Sequence, residues 1–175
     1  MYSEFCIAKD LCHENIVEYK YFMRNYEKST KEYEFHIIME LLEGGDLDQY
    51  IREQGRAFTI NQVQEVGYQI ISGLMYLHKK KIIHQDLKPP NILFSSSYDT
   101  VKLVDLGVSH KLDRTKATKA ANQGTLRYMP PEQLNGVLCL QTDIWAFGCV
   151  LLQFCTGLKP FNDIENEVAM SFKIF

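Results

Sequence analysis

Residues 59–77 carry a helix signal marked at both ends. Thr59-Ile60-Asn61-Gln62 matches a capping box, in which the Thr59 hydroxyl satisfies one end amide and Gln62 reaches back. Ile60, Val63, Val66, Ile70, Leu74 and Leu77 follow at spacings of three and four, which sets them on one apolar face. Lys79, Lys80 and Lys81 complement the negative C-terminal end of that helix. A second helix, Asp143 to Cys155, is apolar nearly all round and reads as buried. The chain is thus expected to close one sizeable core around these two segments, and 175 residues suffice for one domain.

Composition narrows the class. Hydrophobic residues at 46% and charged residues at 23% exclude disorder, collagen and coiled coil as whole-chain readings. A net charge of −3 provides no basic field, so no nucleic-acid partner is expected. The five cysteines, Cys6, Cys12, Cys139, Cys149 and Cys155, form no C-x-x-C pair. Reduced thiols in a cytoplasmic or nuclear protein fit that pattern better than disulfides or zinc. Cys149 and Cys155 sit in an apolar run and read as small hydrophobes. Glu4, Lys9 and Asp10 interrupt any leader-like apolar stretch after Met1. Ile144 to Leu158, the longest uncharged run, is shorter than a membrane span, so no membrane partner is expected.

Elsewhere the signals are shorter. The first dozen residues read as helix, with Phe5, Ile7 or Ala8 and Leu11 at helical intervals. Residues 16–19 and 35–39 read as strands joined by a polar stretch from Arg24 to Glu34. Gly44-Gly45 punctuates, and Asp46 opens a short helix through Ile51. Ile82-Ile83 is a short apolar segment, while residues 92–94 and 101–104 flank Ser95 to Thr100 and suggest a hairpin. From Leu106 to Arg127 the chain reads as a long polar, basic loop without periodicity, the kind that is functional or mobile. Thr115, Thr118 and Thr125 are its candidate phosphosites, and Lys111, Arg114, Lys116 and Lys119 read as a solvated face. His13, His36, His78 and His110 have no ligand spacing and receive no metal role.

Chemistry concentrates in two adjoining strand-end loops. Residues 84–91 read His-Gln-Asp-Leu-Lys-Pro-Pro-Asn, and Asp105-Leu106-Gly107 follows the next strand. Phosphoryl transfer needs a carboxylate to orient a hydroxyl, a cation on the moving phosphoryl, and an acid and an amide to hold magnesium. Asp86, Lys88, Asn91 and Asp105 are those residue types. The stretch resembles the catalytic loop and magnesium motif of eukaryotic protein kinases of the serine/threonine type. Further segments resemble the family in its own order. His13 to Val17 is similar to a small-lobe strand entry, Met39 to Gly45 to the gatekeeper and hinge, residues 124–132 to the end of the activation segment, and residues 143–148 to the start of the central helix.

The resemblance implies an α+β, protein-kinase-like two-lobe fold truncated at both ends. Residues 1–39 would be part of the small lobe, 40–43 the hinge and 44–175 part of the large lobe. It implies Asp86 as catalytic base, Lys88 as the phosphate-facing lysine, and Asn91 and Asp105 as magnesium ligands. Met39, Glu40 and Leu42 would meet adenine, Leu93 and Val104 would floor it, and Asp46 would contact ribose. Glu4 stands where the family's small-lobe helix glutamate stands; His84, Leu106, Thr125, Glu132 and Asp143 would be structural or regulatory. Asp143 in particular would accept backbone hydrogen bonds from the catalytic loop. The implied cofactors are ATP and Mg2+, and the implied partner is a protein carrying the accepting Ser or Thr.

Departures from the family pattern bear on regulation. Gln85 replaces an arginine that pairs with a phosphate on the activation loop, and a neutral amide cannot form that bidentate charged pair. Leu106 replaces a phenylalanine, Pro131 an alanine, and Pro90 stands where basophilic kinases carry an acid. These 175 residues hold no glycine-rich loop and no strand lysine to pair with Glu4, so alone they would be inactive. Two readings follow: a catalytic serine/threonine kinase domain, or a pseudokinase-type nucleotide-binding or scaffold module without catalysis.

Overall fold

The computed structural model describes residues 2–27, 29, 31–54, 58–111, 118–119 and 124–174, the side-chain surroundings of 2, 3, 118 and 119 excepted. Helix α1 (Tyr2–Ala8) turns Phe5, Ile7 and Ala8 toward the core and stops before Lys9 and Asp10. Strands β1 (Tyr19–Glu27) and β2 (Glu32–Met39) form an antiparallel ribbon with Met23 opposite His36 and Tyr26 opposite Tyr33. The ribbon therefore takes in residues 24–27 and 32–34 of the stretch expected to be a polar connection, and it begins at Tyr19 where the strand was expected at 16–19. The reason is exposure: Tyr21, Met23, Tyr26, Tyr33 and Phe35 all lie on the surface. Beyond Tyr19 no residue of either strand is buried, so no apolar alternation is required. Cross-strand aromatic pairs hold the ribbon instead, with Phe22 and Phe35 centroids 5.8 Å apart and those of Tyr26 and Tyr33 5.1 Å apart.

Helix α2 (Leu47–Gln54) starts where Asp46 Oδ1 accepts the Gln49 amide at 2.8 Å. Helix α3 (Ile60–Lys79) forms with its capping box closed: Thr59 Oγ1 accepts from the Gln62 amide at 3.3 Å and Gln62 Oε1 from the Thr59 amide at 3.0 Å. Val63, Val66, Ile70, Leu74 and Leu77 are buried as their spacing requires, whereas Ile60, at the first turn, is 67% exposed. It sits at the helix end, beyond the elements that cover the rest of the stripe.

Strand β3 (Ile82–Ile83) leads to a 3-10 turn at Pro89–Asn91 and then to the hairpin β4 (Ile92–Phe94) and β5 (Val101–Leu103). Both edges of this hairpin are taken. Ile16 bridges Leu103, with the Val17 amide donating to Leu103 O at 3.0 Å. On the other side the Phe94 amide donates to Gly45 O at 2.9 Å. Gly44 permits that approach, since a Cβ there would run into the Ser95 carbonyl.

The segment expected to be a featureless loop contributes two short strands. Strand β6 (His110–Lys111) pairs with β3, and β7 (Thr118–Lys119) pairs with β8 (Val137–Leu138). Two-residue strands carry no periodicity, which is why the sequence pattern misses them. Thr115, Arg114 and Lys116 lie outside the described residues. After a 3-10 turn at Leu126–Tyr128 come α4 (Pro131–Leu134), which precedes β8, then α5 (Leu140–Thr156) and α6 (Glu167–Ile174). The elements thus mix helix and strand, with α3, α5 and the β4–β5 hairpin sharing one apolar core. No helix among the described residues is long and apolar enough to cross a membrane.

Helix α5 departs from the expectation that it is wholly buried. Ala146, Val150 and Phe154 face the core, but Ile144 (45%), Trp145 (38%) and Leu152 (53%) are exposed. Cys155 is exposed as well, while Cys149 is half-buried. Burial pushes the Cys149 thiol up to about 11. Iodoacetamide at about pH 8 should therefore label Cys6, Cys12 and Cys155 first, with Cys149 slower by at least about tenfold because the thiolate is the nucleophile. Peptide mass spectrometry reads the order; equal rates at Cys149 and Cys155 would contradict this packing of α5.

Candidate active site

Asp143, in the first turn of α5, is fully buried and organises the loop that follows β3. Its Oδ2 accepts the His84 amide at 2.9 Å and its Oδ1 the Gln85 amide at 2.9 Å. His78, near the end of α3, donates from Nε2 to Oδ2 at 2.7 Å. This anchoring matters because Gln85 has φ +73°, a left-handed backbone that non-glycine residues adopt only where neighbours enforce it. His84 Nε2 stands 3.0 Å from Val104 O. A carbonyl only accepts, so Nε2 carries the proton, and the buried Nδ1 has no partner among the described residues.

The turn after Gln85 folds Asp86, Lys88 and Asn91 onto one another. Lys88 Nζ is 2.7 Å from Asp86 Oδ2, and Asn91 Nδ2 donates to Asp86 O at 2.9 Å and to Oδ2 at 3.2 Å. The remaining oxygen, Oδ1, accepts the Thr125 hydroxyl at 2.8 Å, and Thr125 Oγ1 in turn accepts from Lys88 Nζ at 2.8 Å. The carboxylate thus already holds a hydroxyl beside an ammonium group. The Val104 amide donates to Asn91 O at 3.0 Å, which sets Asp105 on the chain adjoining Asn91.

A cavity of about 370 Å³ opens beside Asp105, within the range of small-molecule sites. Val17, Leu42, Leu93 and Val104 provide its apolar walls, and Glu4, Tyr19, Met39, Glu40 and Leu41 complete the lining. The Glu40 side chain is engaged with Lys102 Nζ at 2.7 Å and with the Glu18 amide at 2.8 Å. Asp46 is not part of the lining; one of its oxygens caps α2.

The cavity's polar end suits a hard divalent cation. Asp105 is exposed and has φ +61°, with Oδ1 accepting the Gly107 amide at 3.2 Å. A Cβ on Gly107 would lie 3.0 Å from Asp105 Oδ1 and 3.6 Å from Glu4 Oε2. Glycine therefore leaves open a space flanked by two carboxylates, which repel unless a cation joins them. Asn91 donates through Nδ2 to Asp86, which leaves its Oδ1 as an acceptor, but Asn91 does not line this cavity.

The other expected residues fall around this centre. Leu106 is fully buried. Glu132, in α4, is half-buried, with no cation within 4 Å of its carboxylate among the described residues. Three contributors escape sequence reasoning. His78 received no role, Tyr19 read only as a strand residue, and Arg127 lay within the resembling stretch 124–132 without a role of its own. Arg127 donates to the carbonyls of Pro160, Phe161 and Ile164 at 3.0, 2.7 and 3.1 Å, pinning the chain beyond Thr125. All three act across long sequence separations, so no local pattern could have marked them.

The family model for the protein kinase domain matches residues 1–174. Mitogen-activated protein kinase kinase kinase nsy-1 of Caenorhabditis elegans is 32% identical over 175 residues, covering 98% of this chain and 12% of its own length. Serine/threonine-protein kinase STE11 of Saccharomyces cerevisiae is 35% identical over 175 residues, covering 98% of this chain and 23% of its own. Human mitogen-activated protein kinase kinase kinase 5 is 32% identical over 180 residues, with 99% and 13% covered. The chain spans less than a quarter of the length of each of these relatives.

Proposed function

The chain belongs to the protein kinase family, and from that premise we propose that it is the catalytic part of a serine/threonine kinase, transferring the γ-phosphoryl group of ATP to protein hydroxyls. The observation that carries this reading is the hydroxyl already bound to Asp86 Oδ1 with Lys88 alongside. An incoming Ser or Thr hydroxyl, replacing or joining that of Thr125, would be oriented by Asp86, which takes its proton. Lys88 stabilises negative charge on the transferring group. Asn91 and Asp105 are the residues to hold Mg2+, which when bound neutralises phosphate charge. Met39, Glu40 and Leu42 line the adenine end and Leu93 and Val104 its floor; Asp46, outside that lining, would contact the ribose through the carboxylate oxygen that does not cap α2. Glu4, His84, Leu106, Thr125, Glu132 and Asp143 hold these groups in place.

On this reading residues 1–39 belong to a small lobe, 40–43 to the hinge and 44–175 to a large lobe. The serine/threonine class of STE11 and the kinase names of the other relatives support a protein Ser/Thr acceptor. The cysteine pattern supports a cytoplasmic or nuclear setting.

Thermal unfolding of the native-length protein with and without Mg·ATP tests the reading. A ligand at 100 times its dissociation constant stabilises by about 2.7 kcal/mol, a shift of several degrees. Asp105→Asn should remove the magnesium-dependent part. No shift in the unmutated protein would favour the scaffold reading, to which the neutral Gln85 also points.

A further inference from the structure

We infer that Arg127 is a positioning residue for the protein acceptor: it fixes the connection after α5 as one wall of the path by which a Ser- or Thr-bearing segment reaches Asp86. Its guanidinium spans three backbone carbonyls of that connection. Nη1 donates to Pro160 O at 3.0 Å and to Phe161 O at 2.7 Å, and Nη2 donates to Ile164 O at 3.1 Å. A planar fork can serve several fixed acceptors at once, which a point charge such as an ammonium does less well. The connection needs such a hold. Phe161 has φ +53°, a left-handed backbone that a phenylalanine leaves unless its neighbours enforce it. The Phe161 carbonyl also accepts the Ile164 amide at 3.1 Å, so Arg127 closes onto the strained turn itself.

The place of Arg127 in the chain gives these bonds their bearing on the acceptor. Three side chains of one short stretch reach three different elements. Thr125 meets Asp86 and Lys88 of the loop after β3. Tyr128, which is buried, donates to Gln153 Oε1 of α5 at 2.6 Å. Arg127, between them, takes the carbonyls at 160–164. The Tyr128 amide donates to Thr125 O at 2.9 Å and closes the 3-10 turn, so the three anchor points are held as a unit. The hydroxyl on Asp86 thus has this turn beside it and, one arginine side chain further, residues 160–164. An acceptor that presents its own hydroxyl in place of that of Thr125 lies against both. Arg127 does not line the nucleotide cavity, so its loss falls on the acceptor and not on ATP. This inference rests on the reading of Asp86 as the group that orients a protein hydroxyl.

The test uses the native-length protein and its Arg127→Gln, Arg127→Lys and Asp86→Asn variants, with a degenerate peptide mixture centred on Ser or Thr as the acceptor. Initial rates give the KM for the mixture and the KM for ATP separately, and hydrogen exchange at the Ile164 amide reports the connection itself. Arg127→Gln should speed Ile164 exchange and raise the acceptor KM, each by at least about tenfold, the equivalent of one lost hydrogen bond to a charged group. The KM for ATP and the thermal shift with Mg·ATP should stay as in the unmutated protein, which also shows that the variant is folded. Arg127→Lys keeps the charge but not the fork and should raise the acceptor KM as well. Unchanged Ile164 exchange or an unchanged acceptor KM in Arg127→Gln would overturn the inference. So would an equal rise in the KM for ATP, or a lysine variant equal to the unmutated protein. Undiminished turnover in Asp86→Asn would instead overturn the reading of Asp86, while the acceptor KM of Arg127→Gln still judges the arginine.

Discussion

Asp86→Asn in the native-length protein is expected to lower turnover by about two to four powers of ten, the range of a lost general base. The substitution preserves shape and changes one property. Asp86 Oδ1 accepts the Thr125 hydroxyl and Oδ2 faces Lys88 at 2.7 Å. An asparagine can still accept one hydrogen bond, but it takes no proton and gives Lys88 no counter-charge. With its amide nitrogen in place of Oδ2 it would meet both the ammonium of Lys88 and the hydrogens of Asn91 Nδ2; in place of Oδ1 it would no longer accept the Thr125 hydroxyl proton. The loss should fall on kcat, with the KM for ATP little changed, because Asp86 does not line the nucleotide cavity. Steady-state phosphorylation of a protein substrate measures both. Turnover equal to that of the unmutated protein would remove Asp86 from the chemistry.

The sequence and the folded chain agree best where a single local rule decides the outcome. Thr59 and Gln62 close their box because both partners lie within one turn, and α3 follows from a stripe that one core covers. The hairpin of β4 and β5 forms where two apolar segments flank a polar turn. The ribbon of β1 and β2 illustrates the opposite case. Its residues between Arg24 and Glu34 read as a connection, yet backbone pairing and aromatic contacts carry β1 on to Glu27 and start β2 at Glu32. Helix α5 reads as buried because composition reports hydrophobicity and not what is available to cover it; Ile144 and Leu152 remain on the surface.

The site divides along the same line. Asp86, Lys88 and Asn91 meet within six residues, so spacing and residue type reveal the cluster. Asp105 is legible because it follows closely on the hairpin strand β5 that lies beside them. Tyr19 reaches Leu106 across 87 positions, and His78 reaches Asp143 across 65. A tyrosine opening a strand and a histidine ending a helix are ordinary surface-compatible residues until the fold brings them to their partners. Even Thr125, named as a candidate phosphosite, acquires its contact with Asp86 only through a chain reversal of 39 residues.

The long-range anchors carry the second large expectation, which concerns stability. Asp143→Ala should destabilise the fold by about 3–5 kcal/mol, as loss of one partner from a buried, charge-assisted network does. The carboxylate is wholly shielded from water and accepts three donors: the amides of His84 and Gln85 and the ring of His78. Alanine leaves all three without an acceptor, and each unsatisfied buried donor costs about 1–3 kcal/mol. Relief from desolvating the carboxylate offsets part of that sum, which keeps the expected value below the simple total. The left-handed Gln85 is the second consequence, since its amide is one of the bonds that hold φ at +73°. Urea unfolding followed by far-ultraviolet dichroism measures the change, with a constant m-value confirming that stability alone has moved. Asp143→Asn should fall between the two, because its one carbonyl oxygen keeps one acceptor position while its amide nitrogen confronts another donor. A loss under about 1 kcal/mol for alanine, the worth of a single ordinary hydrogen bond, would mean that β3 pairing and the packing of Leu87, not Asp143, hold the loop on which Asp86 stands.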